Sequence, residues 1–211
     1  MTSPAGTTIE VLGSYSGQSS VLHLNDSSGA TYAQATHSFG RNISFGKVIV
    51  KVLVAQTTGQ EVRIGIRSGG NSKVSLRMRD NGWFEVEYGS TFNALDTPTN
   101  YLGGLWYEVG IEFNCTSNTT KTYINGVERS SDVFASNASF MDSLFFSTTA
   151  SGGPGVQGDY YIAWVDYSWV LPGDNPIPGF ELTYLFLGIF VFAVIMVSIR
   201  KRGQKRVLNF I

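Results

Sequence analysis

Four arginines and two glutamates occur in pairs whose even spacing can build a charged surface on a β-sheet. The pairs are Arg63 and Arg67, Arg77 and Arg79, and Glu85 and Glu87. Side chains two or four residues apart in a strand project to one face, while the apolar residues between them take the other face. Guanidinium and carboxylate groups side by side either line a groove for a polar ligand or form cross-strand ion pairs on a solvated face. The sequence leaves both interpretations open.

Other reactive side chains show no pattern of a catalytic or metal centre. His23 and His37 have no serine, cysteine or carboxylate at a spacing that indicates a triad. Cys115 is the one cysteine, so it has no partner for a disulfide or a metal site. Calcium binds clustered oxygen ligands, and it is the one cofactor for which the sequence offers candidates. These candidates are Asp26, Asp142, Asp159 and Asp166.

Five asparagines stand in N-x-Ser/Thr sequons without proline, which is the acceptor motif for Asn-linked glycans. Each lies at an expected strand end or turn, where a bulky glycan is tolerated. Chance supplies some sequons in a chain rich in Ser, Thr and Asn, and we predict glycosylation at a part of the set. The five are Asn25, Asn42, Asn114, Asn118 and Asn137.

The elements that position these residues are predicted to be β-strands. The chain has 13% aromatic residues and 24 glycines, a composition that favours pleated surfaces joined by turns. Turn signals such as Asn125-Gly126 separate the alternating segments. Ten to twelve strands at this spacing predict an all-β, two-sheet antiparallel sandwich over residues 1–170. The clearest segments are 48–54, 62–67, 74–79, 84–88, 106–113, 121–124, 143–147 and 160–167.

The order of these features resembles the concanavalin A-like (laminin G-like) jelly-roll superfamily from residue 14 to residue 167. Residues 17–24 are similar to its opening strand and residues 160–166 to its closing strand. Residues 105–113, followed by a hairpin and by Thr122-Tyr-Ile-Asn-Gly-Val127, are similar to its most recognisable segment. The resemblance implies a jelly-roll sandwich with a concave sheet on which many members bind saccharides. It implies fold more firmly than function.

The same resemblance bears on catalysis. Laminarinase-type glycosidases share this fold and carry a Glu-x-Asp-x-x-Glu strand, which sets two carboxylates about 5 Å apart for retaining hydrolysis. No such string occurs in this chain, and Glu85 and Glu87 lack the central aspartate. The sequence therefore predicts that the protein is not an enzyme.

An apolar stretch near the C-terminus predicts one transmembrane helix. Residues 182–199 carry no charge and would span roughly 27 Å as a helix. A spacer rich in Pro and Gly at 171–181 precedes it, and the tail at 200–211 carries five basic residues and no acid. This charge pattern predicts a cytoplasmic tail and an extracellular domain.

Two further features bear on this topology. Pro178, Gly179 and Phe180, followed by the apolar span and the basic cluster, resemble the PGF-CTERM sorting signal of archaeal surface proteins, which implies anchoring at the cell membrane. The first residues lack the basic and apolar regions of a signal peptide. The alternatives are therefore a processed or truncated chain, or a tail-anchored protein whose domain faces the cytoplasm.

The charge of the chain excludes nucleic acid as a partner. Outside the basic tail there are ten basic and sixteen acidic residues, a net charge of about −6, and phosphate backbones reward basic surfaces. The sequence predicts a membrane-anchored, non-catalytic surface protein whose jelly-roll domain recognises a glycan or a protein ligand or forms part of the cell envelope. The alternatives are a divergent carbohydrate-active enzyme of the same fold and a self-associating surface or viral subunit.

Overall fold

Thirteen antiparallel strands make up most of the residues that the computed structural model describes, which are 6–27, 32–56, 61–88, 91–95, 100–134, 137–148 and 158–169. All of these lie within the compact unit Met1–Pro172. The predicted spacer, membrane helix and basic tail lie outside the described residues. Within the described ranges, no helix has the length and apolar character that crossing a membrane requires.

The strands form two sheets. Their bounds are β1 Thr7–Tyr15, β2 Gln18–Asp26, β3 Gln34–Ile43, β4 Phe45–Val54, β5 Val62–Ser68, β6 Asn71–Met78, β7 Phe84–Tyr88, β8 Thr91–Ala94, β9 Trp106–Asn114, β10 Thr119–Ile124, β11 Val127–Val133, β12 Met141–Thr148 and β13 Gly158–Tyr167. The seven-stranded sheet has the order β1-β2-β13-β4-β9-β10-β11, and the six-stranded sheet has the order β3-β12-β5-β6-β7-β8. Every pairing within them is antiparallel, which confirms the predicted all-β architecture of two antiparallel sheets.

All eight of the segments predicted from alternation are strands, and residues 17–24 correspond to β2. The predicted number of ten to twelve was too low, because the described residues contain thirteen strands. Four strands were not singled out from the sequence: β1, β3, β8 and β11. These four are the outermost strands of the two sheets.

The core lies between the sheets and is built from the apolar residues that alternate with the charged pairs. Each inward side chain of this kind contributes roughly 1.5–3 kcal/mol when fully buried. The seven-stranded sheet supplies residues such as Val50 and Ile111 from the opposite side. The inward residues of β5 to β7, all at most 1% exposed, are Ile64, Ile66, Leu76, Met78, Phe84 and Val86. The predicted division of the two faces is therefore confirmed.

Tight turns hold the register of the central hairpins. Asn125 and Gly126 both have positive φ, 50° and 79°, between β10 and β11, and two consecutive residues of this kind suit the right-handed twist of a hairpin. Gly69 and Gly70, with φ of 57° and 82°, do the same between β5 and β6. Glycine adopts this backbone without a steric penalty. The turn signals in the sequence were thus correctly placed.

Candidate functional site

The outward surface of the six-stranded sheet carries the paired arginines and glutamates, and we call it the charged face. The register places Arg63 opposite Arg77, and Arg77 opposite Glu85. A neighbouring row runs from Phe145 through Gly65 and Ser75 to Glu87 and Phe92. Since strand side chains alternate between faces, these rows project together away from the core.

Arg77 is the centre of a network that is largely buried. Its Nη1 lies 3.0 Å from Glu61 Oε1, its Nε donates to Glu85 Oε2 at 3.0 Å, and its Nη2 also contacts Glu85. The side chains of Arg77, Glu61 and Glu85 are only 11%, 3% and 6% exposed. Arg79, which is 45% exposed, donates to the other oxygen of Glu85 at 3.2 Å. One guanidinium thus holds two buried carboxylates.

Arg63 has a carboxylate partner as well. It forms an ion pair with Glu87 and donates to the Ser75 hydroxyl at 3.1 Å, and that hydroxyl donates to Glu87 at 2.6 Å. Its guanidinium carbon lies 4.9 Å from the centre of the Phe92 ring. The predicted placement of arginines beside glutamates is therefore observed for Arg63, Arg77 and Arg79.

Arg67 differs from these three arginines. It donates to Gln34 Oε1 at 3.0 Å and stacks on the Phe145 ring, with 4.1 Å from Cζ to the ring centre. Among the described residues no carboxylate forms an ion pair with it. Burial lowers the pKa of Arg67, and the nearby charge of Arg63 acts in the same direction. Within the described part of the chain, the buried Nε atoms of Arg63 and Arg67 have no hydrogen-bond acceptor.

A cleft of about 370 Å³ opens beside Arg67 on the charged face. It combines two aromatic rings, two guanidinium groups and several uncharged polar groups. The ring of Tyr32 is 49% exposed, whereas Phe145 is 3% exposed and packs beneath Arg67. Its lining residues are Tyr32, Gln34, Arg63, Arg67, Gly70, Asn71, Ser72, Phe145, Ser147 and Thr148.

The cleft brings together two of the predicted ligand-binding residues, Arg63 and Arg67, and leaves the other four outside its lining. Arg77, Arg79, Glu85 and Glu87 belong instead to the ion-pair network. Sequence reasoning missed the contributions of β3 and β12 to the cleft. The strand β12 lies between β3 and β5, although it follows them by many residues in the chain. No local pattern signals that arrangement.

The five sequons differ in accessibility. Asn42, Asn114 and Asn137 are exposed, and Asn25 is partly buried within β2. The Asn114 carboxamide oxygen accepts the backbone N–H groups of Thr116 and Ser117 at 2.9 and 3.1 Å. Asn118 has a φ of 58°, and its buried side-chain oxygen has no partner among the described residues. Asn42, Asn114 and Asn137 therefore offer the best acceptors by exposure, and among these three the Asn114 carboxamide also holds a turn.

The four aspartates proposed for calcium each have another contact. Asp142 accepts the Gly69 N–H at 2.7 Å, and Asp159 lies 2.7 Å from His23 Nε2. Asp166 accepts the N–H of the next residue at 2.8 Å, and the buried Asp26 accepts the Thr148 hydroxyl at 3.4 Å. In the ranges described above, no three His, Cys, Asp or Glu side chains come together as a metal site.

The histidines and the cysteine sit in packing environments. His23 bridges Glu10 and Asp159, at 3.0 and 2.7 Å, and stacks on Tyr161. His37 lies against Tyr167. Burial raises the pKa of the Cys115 thiol, which keeps it in its unreactive form. None of the tryptophans of the described chain lines the cleft, where Tyr32 and Phe145 supply the aromatic surface.

This chain is similar to known proteins in its three-dimensional structure and not detectably in its sequence. No protein-family model matches the chain, and no curated protein matches it either. A sialidase superposes with a TM-score of 0.67 at 18% identity over 79% of this chain, and this chain covers only 16% of that protein. A structure from work on endo-acting O-glycanases of human gut microbiota gives 0.52 at 10% identity, covering 74% of this chain and 84% of that one. A glycoside hydrolase family 16 endo-glucanase from Bacteroides ovatus gives 0.51 at 13% identity, covering 78% and 86%.

These likenesses correct one prediction. From the missing Glu-x-Asp-x-x-Glu string we expected that the protein is not an enzyme, and that inference is wrong. Solved structures that share the fold include a sialidase and a glycoside hydrolase family 16 endo-glucanase, so the absence of one string does not rule activity out. The predicted all-β sandwich of two antiparallel sheets is confirmed and is consistent with a jelly roll, while Pro178, Gly179 and Phe180 lie outside the described residues.

Proposed function

We propose that the jelly-roll domain binds a glycan in the cleft beside Arg67. The observation that carries this proposal is the mixture of groups in the cleft. The exposed ring of Tyr32 offers a surface for the apolar face of a pyranose. Gln34 and Arg67 present planar hydrogen-bonding groups at the same place, and such groups suit the hydroxyls of a sugar.

The size of the cleft and its fold relatives support the same ligand class. A volume of about 370 Å³ falls in the range of roughly 300–1,000 Å³ that is usual for small-molecule sites. The sialidase, the O-glycanases and the endo-glucanase named above act on glycans, as their names say. Their low identity to this chain leaves the individual sugar open.

The proposal is tested by screening the purified full chain, held in mild detergent, on a glycan array and by titrating the best glycan. We expect Tyr32→Ala to weaken its binding about three- to tenfold, because a stacked ring contributes about 0.5–1.5 kcal/mol beyond its buried area. Trp83→Ala is the matched control, since Trp83 is similarly exposed at 44% but lies outside the cleft lining. Chromatography of the same mixtures shows whether the glycan is shortened.

Two outcomes would contradict the proposal. One is the absence of binding to every glycan on the array. The other is an equal loss of affinity in Tyr32→Ala and Trp83→Ala, which would place the ligand outside the cleft. Shortened products together with a Tyr32 effect would assign the cleft to a carbohydrate-active enzyme, because the same contacts would then hold a substrate.

We further propose that this domain is displayed on the outer side of the cell membrane. The exposed sequons at Asn42 and Asn137 support this, because glycosylation takes place on an exported domain. The apolar stretch at 182–199, followed by the basic residues at 200–211, supports the same orientation.

Protease treatment of intact cells tests the display. We expect added protease to remove the domain, and we expect enzymatic deglycosylation of the untreated protein to increase its gel mobility. Asn42→Gln and Asn137→Gln should each reduce the glycan content. Asn118→Gly should leave it unchanged, because Asn118 is less accessible and glycine accepts its positive φ. A domain that is protected and unglycosylated would place it in the cytoplasm.

A further inference from the structure

We infer that the ligand of the cleft is an anionic glycan, and that Arg67 binds its acidic group. The acidic group is a carboxylate or a sulfate, both of which offer two oxygens to a guanidinium. This inference rests on the proposed function, because it specifies the ligand class of the same cleft.

The arginines of the charged face differ in the groups that they contact. Arg63, Arg77 and Arg79 are held by glutamates, as described above. Arg67 has a neutral amide, Gln34, where the other three have a carboxylate. Asp142 is a carboxylate whose charge acts on Arg67, and its two oxygens accept hydrogen bonds from the Gly69 N–H and the Ser143 hydroxyl. The cleft therefore contains one guanidinium whose charge is not matched by an acid of the described chain.

Partial burial makes this unmatched charge unfavourable. Arg67 is partly buried against Phe145, and its Nε has no acceptor in the described ranges. Gln34 and the Phe145 ring replace a part of the hydration that burial removes from Arg67, and no opposite charge of the described chain replaces the rest. A ligand anion would supply the missing charge and accept hydrogen bonds from the guanidinium. Arginine binds carboxylates and sulfate-like groups with two parallel hydrogen bonds, which are among the stronger hydrogen bonds in proteins.

The surroundings of Arg67 favour a sugar acid over other anions. Tyr32 and Phe145 place aromatic rings beside the guanidinium, and Gln34 places an amide there. These groups suit a ring with hydroxyls that carries the acid. The chain outside its basic tail has a net charge of about −6, which disfavours extended polyanions such as nucleic acid. One unmatched guanidinium on a domain of net negative charge instead suits a ligand that brings one acidic group to the cleft.

The test compares charged glycans with their neutral counterparts on the full chain. One pair is a uronic acid oligosaccharide and its carboxyl-reduced form, and the other is a sulfated oligosaccharide and its desulfated form. We expect one acidic member to bind at least tenfold more tightly than its neutral partner, since a charge-assisted pair strengthens affinity by about that factor or more. The pair that shows the preference identifies the acid as carboxylate or sulfate.

Variants assign this preference to Arg67. Arg67→Gln should remove it, because the acidic member then loses more affinity than its neutral partner does, whereas Arg67→Lys should keep a part of it, because charge remains without the two-pronged geometry. Lys47→Gln is the matched control, since it removes a positive charge from the other sheet. The thermal unfolding midpoint of each variant shows that it is folded.

The failures of the two proposals are distinguishable. If neutral and acidic glycans bind equally well and Arg67→Gln changes neither, the anionic ligand is wrong while glycan binding stands. A preference for acid that survives Arg67→Gln but falls in Lys47→Gln would also overturn the assignment. If no glycan of either kind binds, the proposed function and this inference fall together.

Discussion

Replacing Arg77 by leucine is expected to lower the free energy of unfolding by about 3–5 kcal/mol, which is the usual cost of removing one partner from a buried ion pair. Glu61 and Glu85, at 3% and 6% side-chain exposure, would lose the guanidinium that they share. Arg79 would remain as a solvent-exposed partner of Glu85, and it also pairs with Asp80. Urea denaturation followed by tryptophan fluorescence measures the change, and an unaltered slope shows that the folded and unfolded states are otherwise comparable.

Two further variants test the reason for this loss. Arg79→Leu should cost under about 1 kcal/mol, because Arg79 is 45% exposed and solvent already weakens its ion pair. Combining Arg77→Leu with Glu61→Gln and Glu85→Gln should recover a part of the stability, since the uncompensated charges are then gone. If Arg77→Leu proves no worse than Arg79→Leu, the network is not the structural centre of the charged face.

The interior strands could be predicted from the sequence because burial on one face imposes alternation. In β5 the residues Ile64 and Ile66 face the core, while Arg63 and Arg67 face outward. The four strands that were missed, β1, β3, β8 and β11, are the sheet edges. In β11 five of the seven residues are exposed. Because neither face of this strand is buried, its sequence does not alternate between apolar and polar residues and gives no strand signal.

The ion pair of Arg77 with Glu85 was predictable from the sequence, whereas the contact of Arg77 with Glu61 and the cleft were not. Arg77 and Glu85 meet across a short hairpin, so even spacing and a turn signal bring them together. Gln34 and Arg67 meet only because β12 inserts between β3 and β5. Phe145 stands between Leu144 and Phe146, and a run of apolar residues does not indicate which face each one takes. Sequence analysis therefore placed all four arginines in one set, and only the structure shows that Arg67 contacts Gln34 where the other three contact glutamates.

Gly65 links the stability of the sheet to the shape of the cleft, and we expect Gly65→Ala to destabilise the domain by about 1–3 kcal/mol, as overpacking commonly does. A β-carbon at this position would lie 2.5 Å from Phe145 Cε1 and 2.7 Å from Ser75 Cβ. Neither distance is tolerated, so the Phe145 ring must move. Because Arg67 stacks on this ring, its guanidinium would lose its support in the cleft. Denaturation measures the stability, and glycan titration measures the effect on the cleft.

A glycine without close neighbours provides the control. A β-carbon at Gly13 in β1 would meet nothing within 4 Å, and its φ is not positive, so Gly13→Ala should leave the stability unchanged or slightly higher. The ring contact itself is tested by adding Phe145→Leu to Gly65→Ala. If the clash with the ring is the cause, the double variant should be more stable than the sum of the two single losses predicts, because the two residues touch. Additive losses would show instead that the contact with Ser75, and not the contact with the Phe145 ring, disfavours a β-carbon at Gly65.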